Sequence, residues 1–206
     1  MALDRPDLSF ASKEVARGMA KPLQGDVVNL KRAIRYLRAV PEFKIKFPFQ
    51  SKPVKLTGYS DSDWAGCVRT RRSTSGGCIL HGCHLIHHFS STQANVALSS
   101  AEAELNAAVK IITECCGIRN FGKEMGLDFS VDIKIDSSAA QGILTRRGAG
   151  KIKHLEAKQL WVQELITEKK VSSFKIPRAE NPSDCFTHYW SAADSLNHFP
   201  KMNICA

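Results

Sequence analysis

From Lys55 onward the sequence changes from helical periodicity to short alternating runs, and the order of these runs restricts the fold more than any other feature. Residues 55–61, about 76–82 and about 84–90 read as three consecutive strands, with turn chemistry at residues 70–77 and around Gly82. Strands this close in sequence pair as an antiparallel meander. A capping box at Ser99, Ser100, Ala101 and Glu102 then opens a helix in which Leu105, Ala108, Val109, Ile112 and Cys116 recur at helical spacing, ending near Gly126. Residues 131–136 alternate strictly, with Val131, Ile133 and Ile135 facing inward, and Ser137 and Ser138 start another helix. A helix over about 154–169 and a strand over 171–177 follow. The expected order is three strands, a helix, a strand, two helices, a strand and a terminal helix, an α/β pattern.

Four carboxylates stand where such a sheet would present them. Asp61 lies in the acidic stretch 58–64 (GYSDSDW) at the end of the first strand, where Gly58 allows close backbone approach. Glu104 lies near the start of the long helix on the side of Ala108, so it faces whatever that helix packs on. Asp136 sits where a strand gives way to a helix, the usual site position in an α/β sheet. Asp184 falls in the first turn of a C-terminal helix that Asn181 caps and Pro182 opens, a place where an acid is often only a partner of the helix dipole. Four acids from four elements can hold two divalent cations, and their hard oxygens suit Mg²⁺, with Mn²⁺ as an alternative. Glu102 is assigned to capping, and Asp63 to a turn or to a supporting place beside the site.

Residues 1–50 have a different character. Two helices, 5–20 and 26–40, are separated by Lys21, Pro22 and Gly25, with Asp26 as N-cap of the second. In that helix Leu30, Ile34 and Leu37 form an apolar stripe and Lys31, Arg35 and Arg38 a basic one, read either as a solvated face or as a helix lying along a phosphate backbone. Pro41 and the proline-bounded stretch 48–53 set this pair apart. The expected division is therefore a helical segment 1–50, a domain 51–190 and a tail 191–206. Lys and Arg number 29 against 20 Asp and Glu, a formal charge of +9. The excess is uneven, with twice as many basic as acidic side chains in residues 1–50, and it favours a polyanionic partner. Arg69, Arg71, Arg72, Arg146, Arg147, Lys151 and Lys153 are candidate backbone contacts, against the plain reading of a solvated set.

The 7 cysteines are odd in number and include no Cys-x-x-Cys pair, and the chain has neither a signal-like start nor an apolar run long enough to span a bilayer. Reduced thiols in an intracellular protein, cytoplasmic or nuclear, are expected. Cys78, His81, Cys83 and His84, with His87 and His88 behind them, alternate to opposite faces of a hairpin, so they read as strand residues rather than as a zinc site.

Several dispersed stretches carry a resemblance: 58–66 (GYSDSDWAG), 72–76 (RSTSG), 96–105 (VALSSAEAEL), 135–139 (IDSSA), Lys153-His154 and 181–187 (NPSDCFT). Through them the chain resembles, over essentially 55–188, the ribonuclease H domain of copia-type retrotransposon polyproteins. Residues 4–40 look like the segment that closes the reverse transcriptase of such polyproteins. The polymerase's own Tyr-x-Asp-Asp motif is absent from the chain, so no DNA synthesis is expected.

The resemblance implies an α/β, ribonuclease H-like fold, a five-stranded mixed sheet (antiparallel meander plus parallel strands) flanked by helices, with an N-terminal helical appendage. It makes Asp61, Glu104, Asp136 and Asp184 the catalytic, metal-binding acids, and places His154 with the nucleic-acid contacts. It implies hydrolysis of the RNA strand of an RNA–DNA hybrid with two Mg²⁺ ions: Asp61 bridging both, Asp136 on the ion carrying the nucleophile, Glu104 and Asp184 on the ion facing the leaving group. The polymerase part of a reverse transcriptase is the other implied partner, and particle association follows if the element is active. Glu156 stands where the family usually has aspartate, and the tail after Thr187 (HYWSAADSLNHFP) departs from the usual ending. Two other readings are a non-catalytic nucleic-acid-binding remnant of a decayed retroelement and an integrase-type nuclease with differently spaced acids. A start at Met1 within a polyprotein-like sequence is what a fragment or a decayed copy would show.

Overall fold

The computed structural model describes residues 4–148 and 157–205. A 3₁₀ turn, Pro6–Leu8, leads into α1 (Ser9–Gly18), followed by α2 (Gln24–Ala39) and the short β1 (Lys44–Ile45). The meander is β2 (Lys55–Asp63), β3 (Thr74–His81) and β4 (His84–Thr92). Then come α3 (Ser100–Glu124), β5 (Ser130–Ile135), α4 (Ser138–Thr145), α5 (Ala157–Thr167) and β6 (Ser172–Lys175). The chain closes with 3₁₀ turns at Arg178–Glu180 and Pro182–Phe186, α6 (Ala192–His198), a third turn at Pro200–Met202 and β7 (Ile204–Cys205).

The main sheet has the order β4-β3-β2-β5-β6, antiparallel across β4, β3 and β2 and parallel across β2, β5 and β6. This is the expected five-stranded mixed sheet. On one face α3 lays Leu105, Ala108, Val109, Ile111, Ile112, Cys115 and Cys116 over Leu56, Ile79, Val131, Ile133 and Ile135, with α4 and α5 completing that core. The opposite face carries a second cluster, Cys78, Leu80, Leu85, Cys185, Phe186, Phe199, Met202 and Ile204, edged by Phe43, Ile45, Tyr59 and Trp190. The residues before 51 and after 190 therefore help to cover one sheet face, and β1 pairs with β7 there. None of the seven cysteines is in a disulfide. Among the described residues no helix is long and apolar enough to cross a membrane.

Several local expectations are corrected. Asp26 is not the N-cap of α2; it is the third helical residue, and its Oδ2 accepts from the backbone N–H of Leu23 (2.9 Å), which holds the cap position. A carboxylate there serves the unpaired donors and the dipole from inside the first turn. Two of the three residues in the apolar stripe of α2 face outward, Leu30 and Ile34 being 43% and 48% exposed while Leu37 is half-buried, and no residue of the helix is buried. The inward side runs instead through half-buried Asn29, Ala33 and Tyr36. At α3, Ser99 Oγ accepts from the Glu102 N–H (3.2 Å), but Glu102 returns its carboxylate to the N–H of Leu98 rather than of Ser99 (2.8 Å).

Gly76 and Gly77 belong to β3, not to the preceding turn. A Cβ at Gly76 would lie 2.8 Å from Phe186 Cβ and 2.9 Å from the Ser183 carbonyl oxygen, and one at Gly77 would lie 2.6 Å from Phe89 Cζ. The missing side chains let the turn Pro182–Phe186 and the Phe89 ring rest directly on the strand. Gly76→Val should destabilise the fold by about 1–3 kcal/mol through overpacking against fixed backbone, measured as a shifted midpoint in chemical denaturation.

Two histidines of the β3–β4 hairpin, His81 and His84, act on the proline-bounded stretch. His81 Nε2 lies 2.9 Å from the Pro53 carbonyl and His84 Nε2 2.7 Å from that of Pro48. Gln50 donates to the His81 carbonyl and accepts from the Cys83 N–H, each at 3.0 Å. These contacts strap residues 48–53 to the hairpin. Among the described residues no group of cysteine and histidine ligands gathers as a zinc site would.

Candidate metal centre

β2 and β5 run parallel with Tyr59 opposite Lys134, so two residues further along both strands lie Asp61 and Asp136. Glu104 comes onto them from the fifth residue of α3, where the Ser62 N–H donates to its Oε1 at 3.3 Å. One oxygen from each of Asp61, Glu104 and Asp136 lies within 4.8 Å of the others. Opposite Asp61 across the antiparallel pairing is Gly76, whose lack of a side chain leaves room for the turn carrying Asp184.

The cluster is electrostatically strained. Burial, and after it the charges of Asp184 and Asp136, push Asp61 up to about 7. Burial, then Asp61 and Asp136, push Glu104 up to about 8. Asp136 is also raised, mainly by burial, while the Asn181 side chain acts against the shift. Glu104 Oε2 is buried without a hydrogen-bond partner. Hard oxygens, mutual repulsion and an orphaned buried acceptor are all relieved by a divalent cation, so these residues fit one.

Asp184 stands beside this set, near enough for its charge to act on Asp61. The expected C-terminal helix is a five-residue 3₁₀ turn, entirely buried, that spends its length packing Cys185 and Phe186 into the second core. Asn181 does cap it, accepting from the Ser183 N–H at 3.2 Å, and its Nδ2 reaches the Ser60 carbonyl at 2.9 Å, pinning the turn to β2. Asp184 Oδ1 accepts from Arg178 Nη2 (2.9 Å) and Nε (3.2 Å), and its Oδ2 faces His198 Nε2 at 4.0 Å. It does not join the set formed by the other three acids.

Two residues at this site, Arg178 and Thr187, were not singled out from sequence. Thr187 Oγ1 lies 2.9 Å from Asp61 Oδ2 and 2.8 Å from the Asp184 carbonyl oxygen. A hydroxyl has one proton, so both contacts are hydrogen bonds together only when the Asp61 carboxyl is protonated and donates. Thr187 closes the matched stretch 181–187, which was a signal for it; nothing in the sequence marked Arg178.

Of the basic candidates, Arg69, Arg71 and Arg72 are exposed on the loop after β2, with Arg69 Nη1 3.5 Å from Asp26 Oδ2. Arg147 is exposed and Arg146 half-buried after α4. Lys151, Lys153, His154 and Glu156 lie outside the described residues. Asp63 ends β2 and Glu102 serves the α3 cap; neither joins the acid cluster.

The strand order and pairing, with acids at the ends of the two central parallel strands and on the helix across them, define a ribonuclease H-like domain. No protein-family model matches the chain. Over 107 residues it is 37% identical to an uncharacterised mitochondrial protein of Arabidopsis thaliana, covering 52% of this chain and 44% of that protein. Over 189 residues, 91% of the chain, it is 30% identical to the retrovirus-related Pol polyprotein from transposon TNT 1-94 of Nicotiana tabacum, of which it spans 14%. Among solved structures it is similar to LC11 ribonuclease H1, isolated from compost, with 21% identity, 65% of this chain and 93% of that chain covered, and a TM-score of 0.49. The chain belongs to the ribonuclease H-like domains related to copia-type retrotransposon Pol polyproteins. It spans less than half the length of the Arabidopsis protein and about a seventh of the tobacco polyprotein.

Proposed function

We propose that this domain hydrolyses the RNA strand of RNA–DNA hybrids, using Mg²⁺ or Mn²⁺ held by Asp61, Glu104 and Asp136, with Asp184 as a fourth acid. The observation that carries this reading is the convergence of three carboxylates from β2, α3 and the end of β5, all three raised by burial, and Asp61 and Glu104 also by neighbouring carboxylates. When bound, the divalent cations would polarise a water and offset the charge developing on the departing 3′ oxygen. Asp61 lies centrally between β3 and β5 and would contact both ions, Asp136 would hold the one on the side of the attacking water, and Glu104 the one on the leaving side. Ser62 and Thr187 orient the Glu104 and Asp61 carboxylates through single hydrogen bonds. The exposed arginines 69, 71, 72 and 147, together with Arg146, Lys151, Lys153 and His154, would grip the phosphate backbone, selecting the hybrid by shape and by its 2′-hydroxyls.

Residues 1–50 would be a polymerase-derived segment that extends this grip, residues 51–190 the ribonuclease H-like domain and residues 191–206 a divergent tail, the whole working beside the polymerase part of a reverse transcriptase. The test is cleavage of end-labelled RNA–DNA hybrid, double-stranded RNA and double-stranded DNA, each with Mg²⁺ and with chelator. Metal-dependent cutting confined to the RNA of the hybrid is expected. Cutting of double-stranded DNA would point to an integrase-type nuclease, and metal-independent binding without cutting to a non-catalytic remnant.

A further inference from the structure

Arg178 sits in the 3₁₀ turn that follows β6, and the backbone just before it is anchored where the Ile176 N–H donates to the Ile135 carbonyl (2.9 Å), next to Asp136. Its side chain is 76% exposed, yet two of its nitrogens converge on one oxygen of Asp184, a carboxylate whose own side chain is only 11% exposed. The guanidinium charge also acts favourably on Asp61, Asp63 and Asp136. A cation thus stands on the open rim of the acid cluster, bonded to the one acid that does not gather with the others. Charge-assisted bonds of this kind hold a carboxylate in a chosen orientation.

We propose that Arg178 is a positioning residue that withholds Asp184 from divalent cations, so that the free protein takes a single ion, at Asp61, Glu104 and Asp136, and offers a second place only when the guanidinium leaves Asp184. This rests on the metal-centre reading above. Two positive groups cannot share one carboxylate oxygen at hydrogen-bond distance without repelling each other, so arginine and ion compete for Asp184 Oδ1, while Oδ2 is turned toward the buried His198 at 4.0 Å. The arginine's exposure means that its departure uncovers little apolar surface, whereas Asp184 is fixed by the buried turn around it.

The experiment counts Mn²⁺ ions bound by the full chain at pH 8 without nucleic acid, from the loss of the free-ion electron paramagnetic resonance signal. The parent protein is expected to bind one ion, and Arg178→Gln a second, tightened about tenfold or more over the parent, the weight of a hydrogen bond to a charged group. Adding Asp184→Asn to Arg178→Gln should remove that second ion, and Arg178→Lys, which keeps the charge, should stay near the parent. Two ions in the parent, an unchanged count in Arg178→Gln, or a second ion that survives Asp184→Asn would each overturn the proposal. Asp61→Asn separates this from the underlying reading: if it binds as many ions as the parent, the metal centre itself is wrong, whereas if it loses the first ion while Arg178→Gln behaves as the parent, only the role of Arg178 falls.

Discussion

Asp61→Asn is expected to lose hybrid cleavage by at least about 100-fold, more than is typical for a residue that only supports a metal ligand, while remaining folded. The substitution keeps the size of the side chain and an oxygen that can accept from Thr187 Oγ1, now at 2.9 Å from Asp61 Oδ2. What it removes is the charge at the centre of the cluster, between Glu104 and Asp136. Without that charge the remaining acids repel one another less, and a divalent cation has less to bind. The variant should therefore melt no lower than the parent at pH 8 in chelator, and should gain less thermal stability from added Mg²⁺. Paired measurements of cleavage and melting temperature check both halves. Wild-type turnover in the asparagine variant at saturating Mg²⁺ would remove Asp61 from the mechanism.

The second large effect is a pH dependence of stability opposite to that of ordinary carboxylates. A carboxyl raised on folding keeps its proton in the folded chain after the unfolded chain has lost it, so the folded state binds more protons across that interval and its stability falls as pH rises. For Asp61 the interval runs from about 4 to about 7, and for Glu104 its upper end lies at about 8. The loss at Asp61 alone is on the order of 4 kcal/mol once it is fully ionised. His198 works the other way: burial lowers it, so its contribution is lost as pH falls through the lowered value. The acids dominate, and in chelator the melting temperature should drop by several degrees between pH 5 and pH 8. Saturating Mg²⁺ should recover most of that drop at pH 8 and little at pH 5, where protons hold the ligands. The difference between parent and Asp61→Asn at each pH isolates the cluster from the rest of the chain. A parent protein that is more stable in chelator at pH 8 than at pH 5, with no difference from Asp61→Asn, would show that these carboxyls are not raised.

Much of this arrangement was legible in the sequence because it depends on short-range regularities. Strict alternation over 131–136 places Val131, Ile133 and Ile135 on one face whatever the rest of the chain does, and the structure buries all three. The helical spacing of Leu105, Ala108, Val109, Ile112 and Cys116 likewise fixes which side of α3 meets the sheet, and with it the side that carries Glu104. The parallel direction of β2 and β5 then follows from a helical crossover, while their register, with Tyr59 opposite Lys134, is what brings Asp61 beside Asp136.

What could not be read locally was decided by partners distant in sequence. Periodicity marked the Leu30 and Ile34 side of α2 as buried, but which side of a helix packs depends on a neighbour, and α1 and the residues around Tyr36 turn that stripe outward. Asn181 and Pro182 announced a helix; the space above Gly76 and the burial of Phe186 held it to a single 3₁₀ turn. Asp184 was legible as an acid at a helix start, yet its orientation belongs to Arg178, six residues away, and to His198 on α6. The strands, the long helix and the four acids were readable within single elements, because each rests on a period or a cap; that three of the four acids gather follows from the β2–β5 register and the packing of α3. Which cation faces the fourth acid depends on how the turns after β6 fold Arg178 back onto Asp184, and which segments close the second core depends on packing between residues more than a hundred positions apart, such as Asn203 on Cys83; neither leaves a periodic trace in the chain.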